Sequence, residues 1–121
     1  MNSKEQLIRR TLLELSVSPS RKGYSYIVEA ISAVVQDPSR LNSVCKGLYT
    51  DIARNHGVNS AAVERCIRIA VTASYTDMPL HMVDKVFGNT ITPHRDMPTS
   101  KQYIAAVANY VRCILMREEG L

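Results

Sequence analysis

The chain has 121 residues and 45% apolar side chains, enough for one self-supporting core and too much for wholesale disorder. Fifteen Lys and Arg stand against eleven Asp and Glu, six to four over residues 1–40, four to two over 41–75 and five to five over 76–121. The surplus of +4 therefore lies in the first two thirds and suits a polyanionic partner. Three scattered cysteines without a CxxC, a polar charged start and no apolar run near the ~20 residues of a membrane helix argue against a disulfide framework, a signal peptide and a spanning segment. A reducing cytoplasm is the expected setting.

Breakers divide the chain into six helical segments, with no long repeat and no low-complexity linker. The first runs from about Lys4 to Val17, with Leu7, Ile8, Leu12 and Leu15 at helical spacing. Ser3 with Gln6 three residues on predicts a capping box, and Ser16 to Ser20 around Pro19 ends the segment. The second runs from about Gly23 to Gln36 on an apolar stripe from Tyr24 to Val35, stopped by Asp37-Pro38-Ser39. The third runs from about Ser43 to His56, with Val44, Leu48 and Ile52 in one row, and Gly57 closes it as a residue that adopts a left-handed conformation cheaply.

Asn59 or Ser60 caps the fourth segment, which continues to about Tyr75. The fifth is short, about Leu80 to Phe87, ended by Gly88-Asn89. A polar loop follows to Pro98, and the sixth begins near Thr99 or Ser100 and reaches about Arg117 on a broad apolar face. Cys45, Cys66 and Cys113 each fall within an apolar helical pattern, where a free thiol behaves as a small core residue. No stretch has the strict alternation of a half-buried strand, so the expected fold is all-α, a bundle of about six helices in a single domain over residues 1–121.

The informative piece is residues 49–75. Two amphipathic helices joined by Gly57-Val58-Asn59 have the layout of a helix-turn-helix, whose second helix enters the major groove. Val58 is expected to lock the two helices together. At about 100° per residue the second helix separates into two sides. Val63, Cys66, Ile67, Ala70, Val71 and Ser74 form the core side, and Ala61, Glu64, Arg65, Arg68 and Thr72 form the opposite face.

Arginine presents a fork that fits the O6 and N7 acceptors of guanine, and glutamate accepts from the cytosine amino group while being repelled by phosphate. Glu64, Arg65 and Arg68 are therefore the candidate base readers, with small Ala61 allowing close approach. Ser60, Thr72, Lys22, Lys46 and Arg54 are candidate backbone contacts. The same residues also fit a plainer reading: Glu64 to Arg68 is an i,i+4 pair of the kind found on solvated helices, and helix–glycine turn–helix units occur in bundles that never meet DNA.

From about Lys22 to Arg112 the chain resembles the DNA-binding effector domain of the stage-zero sporulation master response regulator family of endospore-forming bacteria. The resemblance rests on Lys22-Gly23-Tyr24 with Glu29-Ala30-Ile31-Ser32, Leu48-Tyr49 with Asp51-Ile52-Ala53, and Val63-Glu64-Arg65 with Ile67-Arg68. Phe87-Gly88, Pro98-Thr99, and Ile104-Ala105 with Val107-Ala108 complete it. It implies six helices with the third and fourth as the helix-turn-helix, and binding to short GC-containing boxes, often in tandem, on which a homodimer would sit. It also implies contact with the RNA polymerase sigma factor in activators and base contacts from Glu64, Arg65 and Arg68.

Some positions depart from the family pattern. A basic residue before the Val-Glu-Arg run is Ala62 here, and a histidine after the second arginine is Ile69, changes that weaken phosphate contacts or shift the preferred sequence. The lysine-rich loop before the sixth helix is represented by His94, Arg95 and Asp96, of which Arg95 is kept as a backbone contact. These 121 residues leave no room for the family's N-terminal receiver domain, so phosphorylation-driven dimerisation is not carried over.

His56, His81 and His94 lack metal-ligand spacing and read as surface or helix-end residues. No nucleophile stands beside a base and no glycine-rich phosphate loop occurs, so neither an enzyme, a metal nor a cofactor is expected. The alternative to direct DNA binding is a protein-interaction module that modulates a full-length regulator or RNA polymerase.

Overall fold

Among residues 2–88 and 97–118, which the computed structural model describes, all regular structure is helical. The elements in order are α1 (Ser3–Glu14), α2 (Gly23–Gln36), a 3-10 turn (Pro38–Asn42), a π turn (Val44–Leu48), α3 (Tyr49–His56), α4 (Ser60–Asp77), α5 (Leu80–Phe87) and α6 (Ser100–Glu118). The all-α expectation holds, with six α-helices among the described residues.

Helix α2 buries nine of its fourteen residues, as its nearly continuous apolar sequence requires. It packs against α1, α3, α4 and α6. The core it organises includes Ile8 and Leu12 of α1, Ile67 of α4 and Ile104 of α6, none of them exposed at all. Phe87, the one phenylalanine, anchors α5 between Tyr75 at 6.3 Å and Tyr103 at 5.4 Å, both within the range of favourable ring contacts.

One polar knot is embedded in this core. Ser74 of α4 donates its hydroxyl to the Leu15 carbonyl at 2.6 Å, and the Tyr103 hydroxyl lies 2.6 Å away. A serine has a single hydroxyl proton and Leu15 offers only an acceptor, so Tyr103 is the donor to Ser74. The knot ties the end of α1, the last turn of α4 and the start of α6 with each hydroxyl satisfied. Burial pushes the Tyr103 phenol well above its ordinary range.

Several expectations need correction. The first cap is Asn2, not Ser3: Asn2 is extended and accepts from the Glu5 amide at 2.7 Å, while Ser3 is already helical, so the Ser3–Gln6 box does not form. The third helix is shorter than residues 43–56. Its first turn is wound wide, with the Leu48 amide reaching back to Ser43 at 3.0 Å, and regular α-helix starts at Tyr49. The thiols are not core residues as a set: Cys45 and Cys113 are exposed and only Cys66 packs against the core. Val58 is 39% exposed and is not among the buried residues that join the helices.

What sets α4 in place is its crossing with α2. A Cβ on Gly23 would stand 2.3 Å from the Cys66 carbonyl oxygen and 3.3 Å from the Ala70 Cβ. The backbones meet at a separation that only glycine permits. Gly57, by contrast, is left-handed at φ 67°, and a Cβ there meets nothing within 4 Å. Gly23→Ala is therefore expected to cost about 3 kcal/mol or more, because backbone must move. Gly57→Ala should cost only the left-handed penalty of about 1 kcal/mol. Urea denaturation of the two variants checks the order; equal losses would remove the close crossing as the constraint on α4.

Candidate nucleic-acid interface

Helices α3 and α4 are joined by three residues. At the end of α3 the Val58 amide donates to the Ala53 carbonyl at 3.0 Å and the Gly57 amide to that of Arg54 at 3.4 Å, closing the helix through the left-handed glycine. Asn59 then opens α4, its side chain accepting from the Ala62 amide at 2.8 Å. The same end of α3 is tied to α2: His56 and Asn55 both bond the Glu29 carboxylate, and the His56 ring meets Tyr26 edge-on at 4.9 Å. The turn therefore enters α4 from an anchored helix end.

On α4 the two predicted sides are realised. Val63, Ile67, Ala70, Val71 and Ser74 are buried, with Cys66 half-buried beside them. Ala61, Glu64, Arg65, Arg68 and Thr72 are all exposed. Arg68 donates to the Glu64 carboxylate at 3.2 Å, with both side chains about half exposed. The Thr72 hydroxyl turns back onto the Arg68 carbonyl at 2.8 Å. The remaining candidates lie on the first turn of α4 and on other elements. Ser60 is exposed at the first turn of α4, Lys46 is exposed on the π turn, and Lys22 is exposed at the start of α2, in a shallow cleft shared with Ile69. Arg54 is exposed on α3, one nitrogen donating to Asp51 at 3.3 Å, and Asp51 also receives Arg40 at 2.6 Å. Arg95 lies outside the described residues.

Glu64, Arg68 and Thr72 also form one wall of a groove of about 560 Å³, closed on the other side by Cys45 and by Pro98 to Lys101 at the start of α6. Lys101 was not singled out from the sequence. It is an ordinary lysine on an amphipathic helix, and only the packing of α6 beside α4 brings it to this face. At the floor lies Tyr49, 2% exposed, its hydroxyl buried with no hydrogen bond of good geometry among the described residues. Burial pushes its phenol up to about 12, offset slightly by the nearby Ser100 side chain.

Among the described residues no three His, Cys, Asp or Glu side chains gather as a metal site, and no helix is long and apolar enough to cross a membrane.

This helical fold, with two arginines exposed on α4, is that of a DNA-binding domain of a transcription regulator. Residues 8–111 match the family described as Sporulation initiation factor Spo0A C terminal, and the chain belongs to that family. The match begins within α1 and ends within α6, so all six helices take part in it. The family is a regulatory one and not a family of enzymes.

The orphaned phenol yields a stability prediction. Tyr49→Phe removes a buried hydroxyl that makes no hydrogen bond of good geometry among the described residues, so the melting temperature should stay level or rise, where deleting a satisfied hydroxyl costs about 1 kcal/mol. Because the folded phenol ionises above the unfolded one, the unfolded state releases its proton first above pH 10, and stability falls as pH rises toward 12. The variant should fall less steeply over that window than the parent. A lower melting temperature at pH 7 would mean that the hydroxyl has a partner.

Proposed function

We propose that the chain binds double-stranded DNA sequence-specifically through α3 and α4 acting as a helix-turn-helix, with α4 in the major groove, and regulates transcription in the cytoplasm. The observation that carries this reading is the single exposed stripe of Ala61, Glu64, Arg65, Arg68 and Thr72 on a helix whose other side is buried. Arg65 and Arg68 read guanine edges, and Ala61 lets the helix sit close. Glu64 takes a cytosine amino group or presents Arg68, with which it is already paired.

Backbone contacts are assigned to Lys22, Lys46, Arg54, Ser60 and Thr72, with Arg95 added from the sequence. Ser60 contributes through the first turn of α4, where the positive end of the helix favours phosphate. Thr72 must release the Arg68 carbonyl before it donates to a phosphate oxygen. Arg54 has donors to spare beyond the one held by Asp51. Family membership extends the proposal to tandem sites, a homodimer on them, and contact with the RNA polymerase sigma factor.

Selection from random duplexes with the purified chain tests the central claim. Binding should fall steeply with salt, and each of Arg65→Ala and Arg68→Ala should lose about 1–3 kcal/mol of discrimination at one or two positions. Because both side chains are exposed, the melting temperature should not change measurably. Variants that select the same site as tightly as the parent would remove these arginines as readers. Failure of the parent to select any sequence would leave the protein-interaction module as the better reading.

A further inference from the structure

We propose that the groove between α4 and the start of α6 is a binding site for a small amphipathic carboxylate, an apolar body ending in one anionic head. Its volume of about 560 Å³ is that of a ligand site, and its walls are mainly apolar, formed by Val44, Tyr49, Val71, Met97 and Pro98. A sugar-phosphate chain, charged and hydrated along its length, gains little from such walls; an alkyl or aryl body gains from all of them.

On the α6 side of the groove the polar groups favour an anion. Helix α6 begins there. Its Thr99 hydroxyl is taken by the Gln102 amide and its Thr99 carbonyl by the Tyr103 amide, which leaves the Ser100 and Lys101 amides at the positive end of a nineteen-residue helix. The Lys101 ammonium adds a full positive charge with no ion pair of its own among the described residues. Among the described residues Glu64 is the only acid in the lining, and it is engaged with Arg68.

The Tyr49 hydroxyl supplies the independent sign of a missing group. It is buried beside Ser100, with no hydrogen bond of good geometry among the described residues. A carboxylate accepting the Ser100 hydroxyl proton fixes the rotation of that hydroxyl with its oxygen open to accept from Tyr49, so one head group would satisfy both. The site shares Glu64, Arg68 and Thr72 with the exposed stripe of α4. On the DNA-binding reading, its occupant would therefore compete for that face.

The two exposed cysteines allow a test that needs no DNA. Cys45 lines this groove, and Cys113 lines a different cleft between α5 and α6. Alkylation of the full chain by N-ethylmaleimide, followed at each site by mass spectrometry, should slow several-fold at Cys45 when octanoate is added and stay unchanged at Cys113. Octan-1-ol, lacking the charge, should protect much less. Tyr49→Phe and Lys101→Gln should each raise the octanoate concentration for half-protection about tenfold. Equal alkylation of Cys45 with and without octanoate, equal protection by octan-1-ol, or indifference to both substitutions would overturn the site. Since the readout is independent of duplex, loss of the DNA-binding reading leaves the result interpretable.

Discussion

The depth and rotation of α4 follow from the contact between Gly23 and the Cys66 carbonyl. Two helices approach this closely only where side chains are absent or small, and the crossing is lined by Gly23, Cys66 and Ala70. With α4 drawn against α2, the rotation that buries Val63, Ile67 and Ala70 becomes fixed, and the opposite stripe is necessarily the outward one. Two further points hold the rod along its length: the Asn59 cap at its start and the Ser74–Tyr103–Leu15 knot past its middle. The stripe itself contributes little to this positioning. Its chemistry is therefore free to vary without unfolding the domain, which is what a reading surface requires.

The sequence made legible what depends on periodicity. The bounds of α2 and the two sides of α4 follow from apolar spacing alone, because a stripe that must be buried leaves one orientation for the helix. Features set by one residue or by distant packing were not legible. Asn2 and Ser3 are both competent caps, and only backbone conformation separates them. The wide turn before α3 keeps Leu48 and Ile52 inward, so the apolar row looks continuous although Val44 is only half-buried. Cys45 and Cys113 lie at the margins of their stripes, where a pattern gives the direction of a face but not its width. The groove unites residues 45, 68 and 101, which no local pattern connects.

Net charge is a poor guide to which cations are available. Arg40 and Arg54 share Asp51, and Arg9 pairs with Glu5 while lying 5.4 Å from the centre of the Tyr24 ring. Three of the ten basic side chains in the first two thirds of the chain are thus engaged in organising the surface around α1 and α3. Lys22, Arg65 and Lys101 are among the cations with no such ion pair among the described residues, and they line clefts against α4 or lie on it. A polyanion approaching α4 accordingly meets unpaired cations, although the formal charge is modest.

Within that field Glu64 is the residue that needs a reason. A carboxylate facing a duplex repels every phosphate, so it weakens contact with all sequences alike. Its pairing with Arg68 is exposed and worth at most about 1 kcal/mol, too little to hold the arginine against a guanine edge that offers two acceptors. The pair restrains Arg68 in the free chain without trapping it there. On the proposed reading, the carboxylate lowers nonspecific affinity and recovers the loss only where a cytosine amino group, or a correctly seated Arg68, replaces the water it gives up. Discrimination is a ratio of two affinities, and a group that depresses the denominator raises it as surely as one that strengthens the cognate contact.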